Sequence, residues 1–264
     1  MHKTPLALAA AAALATACAQ PGGALVEPQS YAASCEEQAP LERPLKIANY
    51  NIKSGTWSTL GEIADVLEAM DADVIALEEV DNGLPRTGYV DQSQWLADRL
   101  GAKRVFAPAW QKEGGSYGIA LLSKVPLAQA ESFQLPDANG FEPRVAIDAI
   151  VCAGQQELHV VGSHADFLPW SAEAHAVALA DHVDTLDDVV LMGDLNIPPE
   201  NSSLASFVAG GLHDVLSLFT DAPTFADARI DYIWSDREAS EAAVVESEAS
   251  DHKPVWAKMP FDAR

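Results

Sequence analysis

A carboxylate and a carboxamide follow one short apolar run at two-residue spacing. Residues 188–192 read Asp-Val-Val-Leu-Met and lead through Gly193 into Asp194 and Asn196. A short run rich in β-branched residues and bounded by turn signals predicts a core strand. Residues two apart on an extended chain face the same side, so one site could hold a carboxylate that accepts a proton and an amide that donates to an anion. An ordinary strand-ending Asx turn would also explain the pair.

Polar side chains of matching kinds accompany other strand-like runs. Amides suit phosphate or substrate oxygens, and carboxylates suit a hard divalent cation such as Mg²⁺, which prefers oxygen ligands. Histidines suit charge stabilisation or proton transfer. The recurrence of these groups favours an active site over an isolated turn. The residues concerned are Asn51 at the end of the first apolar run, Glu78 and Glu79 after 73–77, His164 after 158–163, Asp231 within 229–234, and Asp251 and His252 before the last run.

The order of these motifs resembles the endonuclease/exonuclease/phosphatase superfamily, which includes DNase I-like nucleases, abasic-site endonucleases, neutral sphingomyelinases and inositol polyphosphate phosphatases. Each motif alone is weak, but their order and spacing over residues 45–259 are specific. The segment 115–124 and the triplet Glu142-Pro143-Arg144 also resemble family segments. The ordered motifs are Tyr-Asn-Ile at 50–52, Leu-Glu-Glu-Val-Asp at 77–81, Ser-His at 163–164, Gly-Asp-Leu-Asn at 193–196, Ile-Asp-Tyr-Ile at 230–233 and Ser-Asp-His-Lys-Pro-Val at 250–255.

The resemblance implies a catalytic group of five residues. Asp194 would orient and deprotonate the attacking water, and Asn196 would hold that water and the phosphate oxygens. His252 would contact the scissile phosphate, with Asp231 fixing its ring. His164 would be a second histidine near the phosphate.

The resemblance also implies a binding site for Mg²⁺. We expect that Mn²⁺ can replace Mg²⁺ at this site. Glu79 would be the principal ligand, with Asp251 and Asn51 contributing. The adjacent Glu78 is expected to lie outside the first ligand sphere or at the surface. Lys53 stands where some nucleases of the family carry an acidic residue, so a second acidic metal contact from that loop is not expected. The residues implied for substrate binding are Asn51, Asn196 and Arg144.

The pattern of elements favours layered α/β packing. A capping box of Thr59 and Glu62 precedes an apolar helical face, and further helices are predicted over 91–100, over 171–183 and after Asn201. The family resemblance sharpens this to a four-layer α/β sandwich. In that fold two mixed, mainly antiparallel sheets lie face to face and are flanked by helices, with the motif-bearing strand ends along one edge. Strands are predicted at about 47–52, 73–77, 103–109, 117–123, 127–134, 144–152, 157–163, 188–192, 229–235 and 251–258.

Composition bears on the substrate. The chain has 264 residues, 16 Lys and Arg without a basic cluster, and a formal net charge of −23. The electrostatic field of so negative a chain repels polyanions, and tight nucleic-acid binding needs clustered cations. An acidic composition that only aids solubility would give the same net charge. We therefore expect no strong nucleic-acid-binding surface. A monomeric hydrolase of a small phosphoester or lipid headgroup is favoured. The alternatives are a secreted endonuclease on DNA or RNA and, less favoured, an inactive binding protein of the same fold.

The N-terminal segment predicts export. Residues 6–17 form an apolar run too short to span a bilayer, and small residues precede Cys18 as in a bacterial lipobox. An ordinary cleaved signal is the alternative. The expected divisions are a signal or lipobox region at 1–18, a flexible tether at 19–44 and the phosphoesterase domain at 45–264. Lipidation of Cys18 would anchor the protein to a membrane; otherwise it would be periplasmic. In that oxidising location, Cys35 and Cys152 either form a disulfide or remain two thiols.

Overall fold

The computed structural model describes residues 29–261, which contain both strands and helices. The α-helices are α1 (Leu60–Met70), α2 (Gln92–Leu100), α3 (Pro169–Val183) and α4 (Ala205–Ala209). The strands are β1 (Gln29–Ser30), β2 (Leu45–Asn51), β3 (Val74–Asn82), β4 (Lys103–Lys112), β5 (Gly115–Ser123), β6 (Leu127–Gln134), β7 (Val145–Ala153), β8 (Gln156–His164), β9 (Val189–Asp194), β10 (His213–Asp214), β11 (Asp231–Ser235), β12 (Glu241–Val244) and β13 (Val255–Met259).

The strands form two mixed sheets. One has seven strands in the order β1-β6-β7-β8-β9-β11-β10, and the other has six in the order β12-β13-β2-β3-β5-β4. Only β2–β3 and β8–β9 pair in parallel among the described strands. Parallel neighbours need a crossover connection, and α1 and α3 supply it. Each parallel pair therefore brings two strand carboxyl ends to the same edge of its sheet.

Apolar side chains fill the space between the sheets, and helices cover both outer faces. The inner layer includes Ile47 of β2 and Met192 of β9, both fully buried. On the outer face of the six-stranded sheet, α1 and α2 pack through residues such as Leu67. On the outer face of the seven-stranded sheet, α3 and α4 bury Leu179 and Phe207. These four layers confirm the predicted α/β sandwich.

Local sequence signals set the helix starts. The Thr59 side chain accepts from the backbone of Glu62 at 3.2 Å, and the Glu62 carboxylate accepts from the Thr59 backbone at 2.9 Å, which completes the predicted capping box. Asp91, predicted to begin the second helix, instead caps it, because its carboxylate accepts from the Gln94 backbone at 3.0 Å.

Residues 29–44 are attached to the domain. Gln29 and Ser30 pair with β6, and Cys35 is joined to Cys152 of β7 by a disulfide, which confirms one of the two expected states of these cysteines. Arg43 forms an ion pair with Asp73 at 2.6 Å. The predicted tether over 19–44 is therefore wrong for this part. Residues 19–28 and the predicted signal region 1–18 lie outside the described residues.

The last predicted strand is shorter than expected, since β13 begins at Val255 and leaves residues 250–254 as a loop. Within residues 29–261, no helix has both the length and the apolar character required to span a bilayer.

Candidate active site

Side chains along each strand alternate between the two faces of its sheet. This alternation fills the core and also places polar residues at one edge of the sandwich. In β9, Val190 and Met192 face the inner layer, and the next residue on that face is Asp194. Strand pairing places Asp194 level with His164 of β8 and with Asp231 of β11. Three of the predicted catalytic residues are thus brought together by sheet register alone.

His252 completes this group from the loop before β13. Its Nδ1 lies 2.9 Å from Oδ2 of Asp231, and its Nε2 lies 3.6 Å from Oδ2 of Asp194. Burial alone would lower the pKa of His252, but the charge and hydrogen bond of Asp231, together with the charge of Asp194, raise it to about 9. The ring is therefore a cation at neutral pH and can face developing negative charge.

Asp194 is held as a buried carboxylate with positioned donors. It accepts hydrogen bonds from Nδ2 of Asn51 at 3.0 Å and from the backbone of Asn196 at 3.0 Å. Burial and the nearby charge of Asp231 raise the pKa of Asp194 above the usual carboxylate range. A carboxylate tuned toward neutral pH suits proton abstraction.

His164 is kept neutral by its neighbours. Nη1 of Arg144 lies 2.8 Å from its Nδ1, and a guanidinium can only donate, so Nδ1 must accept. The ring proton then resides on Nε2, 3.5 Å from Oδ2 of Asp194. Burial and the charge of Arg144 hold the pKa of His164 well below its usual value. This histidine is a neutral donor toward the site.

Two predicted substrate-binding residues have partners within the protein. Arg144, predicted to bind substrate, lines a cavity next to the catalytic group. Its terminal nitrogens contact His164 and, at 3.2 Å, Glu142. Asn196 donates through Nδ2 to the carbonyl of Ala165 at 3.1 Å, and that nitrogen lies 3.4 Å from Nε2 of His164. Arg144 thus orients His164, and the Asn196 side chain is itself held by the backbone of Ala165.

Asn51 has a donor role in this arrangement. The backbone N–H of Lys53 donates to Oδ1 of Asn51 at 3.1 Å, which fixes the orientation of the amide. Its Nδ2 therefore donates to Glu79 at 3.1 Å and to Asp194. Asn51 was also predicted to be a metal ligand, and in this orientation its oxygen is turned to the backbone instead. The side chain links the proposed base to the proposed metal ligand.

Two carboxylates fit a hard cation. Glu79 and Asp251 are only 18% and 16% exposed, and both contact Nζ of Lys53, at 3.7 and 3.2 Å. Oxygen-only donors with access to water match the preference of Mg²⁺. Asp194, Asp231 and His252 also place ligand atoms within 4.8 Å of one another. That second group is a poorer fit, because a metal would have to displace the proton that Asp231 stabilises on the His252 ring.

A bulge explains why the adjacent Glu78 and Glu79 differ. The pairing of β3 with β5 shifts register between Leu77 and Val80, and Glu79 has a positive φ of 55°. Without the bulge, Glu79 would follow Leu77 onto the helix-covered face. Glu78 is buried between the sheets, which excludes the surface, one of the two positions predicted for it. Burial, then the charges of Asp231 and Asp194, raise the pKa of Glu78 well above its usual range.

Some of the positive φ angles of the described chain lie at this edge. Besides Glu79, positive φ angles occur at Lys53 (48°), Ser54 (53°) and Asn196 (53°). Such conformations are costly for residues other than glycine and persist where the surroundings hold them. Ser54, for example, accepts hydrogen bonds from Arg86 at 3.0 Å and from Gln92 at 2.6 Å.

The catalytic group opens into a cavity of about 350 Å³. Its wall combines cationic and aromatic side chains with the groups described above. Sequence reasoning missed Arg86, which follows β3 without any motif and is held by Asp81 through two hydrogen bonds of 2.6 and 2.7 Å. Phe167 is 52% exposed at the cavity wall. The cationic and aromatic wall residues are Lys53, Arg86, Arg144, Trp110, Tyr117, Phe167 and Phe225.

Comparisons with known proteins identify the family and the fold. Residues 48–252 match the Endonuclease/Exonuclease/phosphatase family. Protein cwh43 of Schizosaccharomyces pombe is 30% identical over 116 residues, which are 44% of this chain but only 12% of that protein. The structure of an endonuclease/exonuclease/phosphatase from Beutenbergia cavernae superposes with a TM-score of 0.68 at 23% identity, over 83% of this chain and 72% of that chain.

A mannosyl-6-phosphatase from Bacteroides thetaiotaomicron superposes with a TM-score of 0.66 at 18% identity, over 82% of this chain and 100% of that chain. At these identities the two structures share the fold with this protein. The family match, by contrast, extends over most of the chain and includes every predicted catalytic residue. The chain therefore belongs to the endonuclease/exonuclease/phosphatase family.

Proposed function

We propose that this protein is a divalent-metal-dependent phosphoester hydrolase in which Asp194 activates water for in-line attack on phosphorus. One observation carries the proposal. A buried carboxylate with a raised pKa lies 3.6 Å from an imidazole that Asp231 keeps protonated. A base and a cation held this close can take a proton from water and stabilise negative charge at the same phosphate.

Each side chain has a distinct part in this reaction. Asn51 and the backbone of Asn196 hold Asp194, the proposed base. His252 stabilises the charge that develops on the phosphate oxygens, and neutral His164 donates through Nε2. Glu79 and Asp251 would hold the metal, which supplies positive charge to phosphate oxygens and to the leaving oxygen when it is bound.

A small phosphoester or a lipid headgroup is the proposed substrate class, with DNA or RNA as the alternative. The net charge of −23 opposes long-range attraction of a polyanion, whereas Lys53, Arg86 and Arg144 place cationic groups in the cavity wall that could contact a small anion. Each of these cations is paired with a carboxylate of the protein. The description of one similar structure as a mannosyl-6-phosphatase supports a small substrate. The catalytically inactive alternative is disfavoured because each predicted catalytic residue is present at this edge.

A substrate panel tests the proposal. The value of kcat/KM would be measured with Mg²⁺ at low salt on bis-p-nitrophenyl phosphate, on plasmid DNA and on phospholipid vesicles, with Asp194→Asn as the control. We expect turnover of the small diester or the lipid and poor cleavage of plasmid, which improves as salt screens repulsion. Nicking of plasmid at nanomolar enzyme would favour the endonuclease. No Asp194-dependent turnover of any substrate would favour a binding protein.

We also propose that the protein is exported and that Cys18 is lipidated. The Cys35–Cys152 disulfide supports this location, because such bonds persist in oxidising compartments. Metabolic labelling with a clickable fatty acid tests it. The wild type should carry the label in the membrane fraction, and Cys18→Ser should lose it. A wild type without label would favour an ordinary cleaved signal.

A further inference from the structure

The Lys53 ammonium lies between the two carboxylates that fit a divalent cation. Its Nζ is 3.2 Å from Oδ2 of Asp251 and 3.7 Å from Oε1 of Glu79. A metal that used both carboxylates would meet this positive charge at very short range. Because like charges repel at such distances, the metal and the ammonium compete for the two carboxylates.

The Lys53 backbone is fixed, whereas its side chain can move. Its N–H donates to Asn51, and its carbonyl accepts from the Thr56 hydroxyl at 2.7 Å. The side chain itself is 40% exposed and lines the same cavity as His252 and Asn196. A flexible four-carbon stem can carry the ammonium from the carboxylates to an anion in that cavity without any backbone change.

We propose that Lys53 is a displaceable internal cation of the metal site. It neutralises Glu79 and Asp251 until a divalent cation takes these carboxylates, and the released ammonium then binds the phosphate oxygens of the substrate. The inference rests on the metal site of the proposed function and adds a role for a residue that would otherwise only weaken that site.

Coupling between metal and anion follows from this exchange. When the metal has released Lys53, an anion gains a cationic partner, and an anion that holds Lys53 in turn frees the carboxylates for the metal. Each ligand must then raise the affinity of the other by the same factor. Couplings of this kind commonly amount to about 5-fold to 150-fold.

Titration of Mn²⁺ alone, followed by calorimetry, tests the displacement without any enzymatic assay. Lys53→Met should bind Mn²⁺ at least about fivefold more tightly than the wild type, because its competitor is gone. Lys258→Met is the matched control: it removes the same charge from an ion pair with Glu241 that lies at 2.8 Å and outside the cavity wall. That variant should stay within twofold of the wild type. Equal or weaker binding by Lys53→Met would overturn the proposal.

Glu79→Gln separates this inference from the proposed function. If it abolishes Mn²⁺ binding while Lys53→Met binds as the wild type does, only the role of Lys53 is wrong. If Mn²⁺ binding is unchanged by Glu79→Gln, the metal site itself is wrong. Lys53→Gln, a polar replacement, provides the same comparison should the methionine variant fold poorly, and thermal melting of each variant checks the fold.

Sulfate serves as the anion probe for the second half of the proposal. Saturating sulfate should tighten Mn²⁺ binding by the wild type at least about fivefold and should have much less effect on Lys53→Met. The same enhancement in both proteins would show that the released ammonium does not hold the anion, and would overturn that step.

Discussion

His252 and Asp231 share a hydrogen bond of 2.9 Å between Nδ1 and Oδ2, and this contact determines which nitrogen of the ring faces the cavity. Because Asp231 is itself buried, its charge acts on the ring with little screening by solvent. The carboxylate therefore orients the imidazole and keeps it protonated through the same contact.

The pH dependence should show this cation directly. Since the pKa of His252 is raised to about 9, the protonated ring is present at neutral pH and is lost as pH rises through about 9. We expect kcat/KM to fall over that range. Asp231→Asn should move the fall at least about one pH unit lower, because the charge that raises the pKa is removed.

A pH profile measured on a phosphodiester substrate checks this expectation. His182→Gln is a suitable control, since His182 pairs with Asp148 at 3.0 Å and lies outside the cavity wall. An alkaline limb at the same pH in wild type and Asp231→Asn would show that His252 is not the group that titrates.

Asp194→Asn should keep the fold and lower kcat by at least about 100-fold, the lower end expected for the loss of a positioned base. The amide retains the shape of the carboxylate and loses its capacity to accept the proton. Steady-state kinetics would be compared with the thermal unfolding of the same sample. A loss of less than fivefold would remove Asp194 from this role.

Metal dependence should distinguish the adjacent glutamates. Glu79→Gln should raise the Mg²⁺ concentration needed for half-maximal activity, because it removes a charged ligand. Glu78→Gln should change this concentration much less, since Glu78 lies between the sheets and does not line the cavity. Mg²⁺ titrations of activity in both variants provide the measurement. A greater sensitivity at Glu78 would reverse the assignment.

Glu78→Gln should instead change stability. The pKa of Glu78 is raised in the folded state, so above the unfolded value of about 4.3 the folded protein binds more protons and loses stability as pH rises. A neutral glutamine removes this loss. The melting temperature of the variant relative to the wild type should therefore increase between about pH 5 and pH 8. Glu200→Gln, at an exposed position, should show no such trend.

The disulfide should contribute stability without affecting catalysis. Its two cysteines are 117 residues apart, and closing so long a loop stabilises a fold by about 2–5 kcal/mol. Cys35→Ser with Cys152→Ser should lower the free energy of unfolding by that amount in urea denaturation. Activity at 25 °C should be retained, because Cys152 lies seven residues along β7 from Val145, which follows Arg144 at the active-site edge. A large fall in kcat in a folded double mutant would show that the disulfide also affects catalysis.

Much of the site could be predicted from sequence, because strand period and strand ends are local properties. Asp194 and His164 each end a strand that alternates into the core, so their common edge follows from the pattern and the family motifs. The same holds for Asn51 at the end of β2. The spacing of Thr59 and Glu62 likewise predicted the start of a helix, and both hydrogen bonds of the capping box are present.

The remaining features depend on contacts between distant segments. The orientation of Glu79 requires the bulge against β5, which no residue of β3 signals alone. Arg86 reaches the cavity because buried Asp81 holds it. The attachment of residues 29–44 depends on pairing with β6 and on the bond to Cys152, both far away in sequence. These are tertiary effects that local propensity cannot express.

The positive φ angles at Lys53, Ser54, Glu79 and Asn196 lower the stability of the fold at residues of the active-site edge. Each such conformation costs about 1–3 kcal/mol in a residue other than glycine. Replacement by glycine would relieve that cost. At Lys53 and Glu79 it would remove a side chain that the proposed chemistry uses, and at Ser54 and Asn196 it would remove side chains that contact Arg86 and Ala165. A library selected only for heat resistance should therefore accumulate glycine at these positions and lose function as it gains robustness. Improving this protein by directed evolution would require both properties to be screened together.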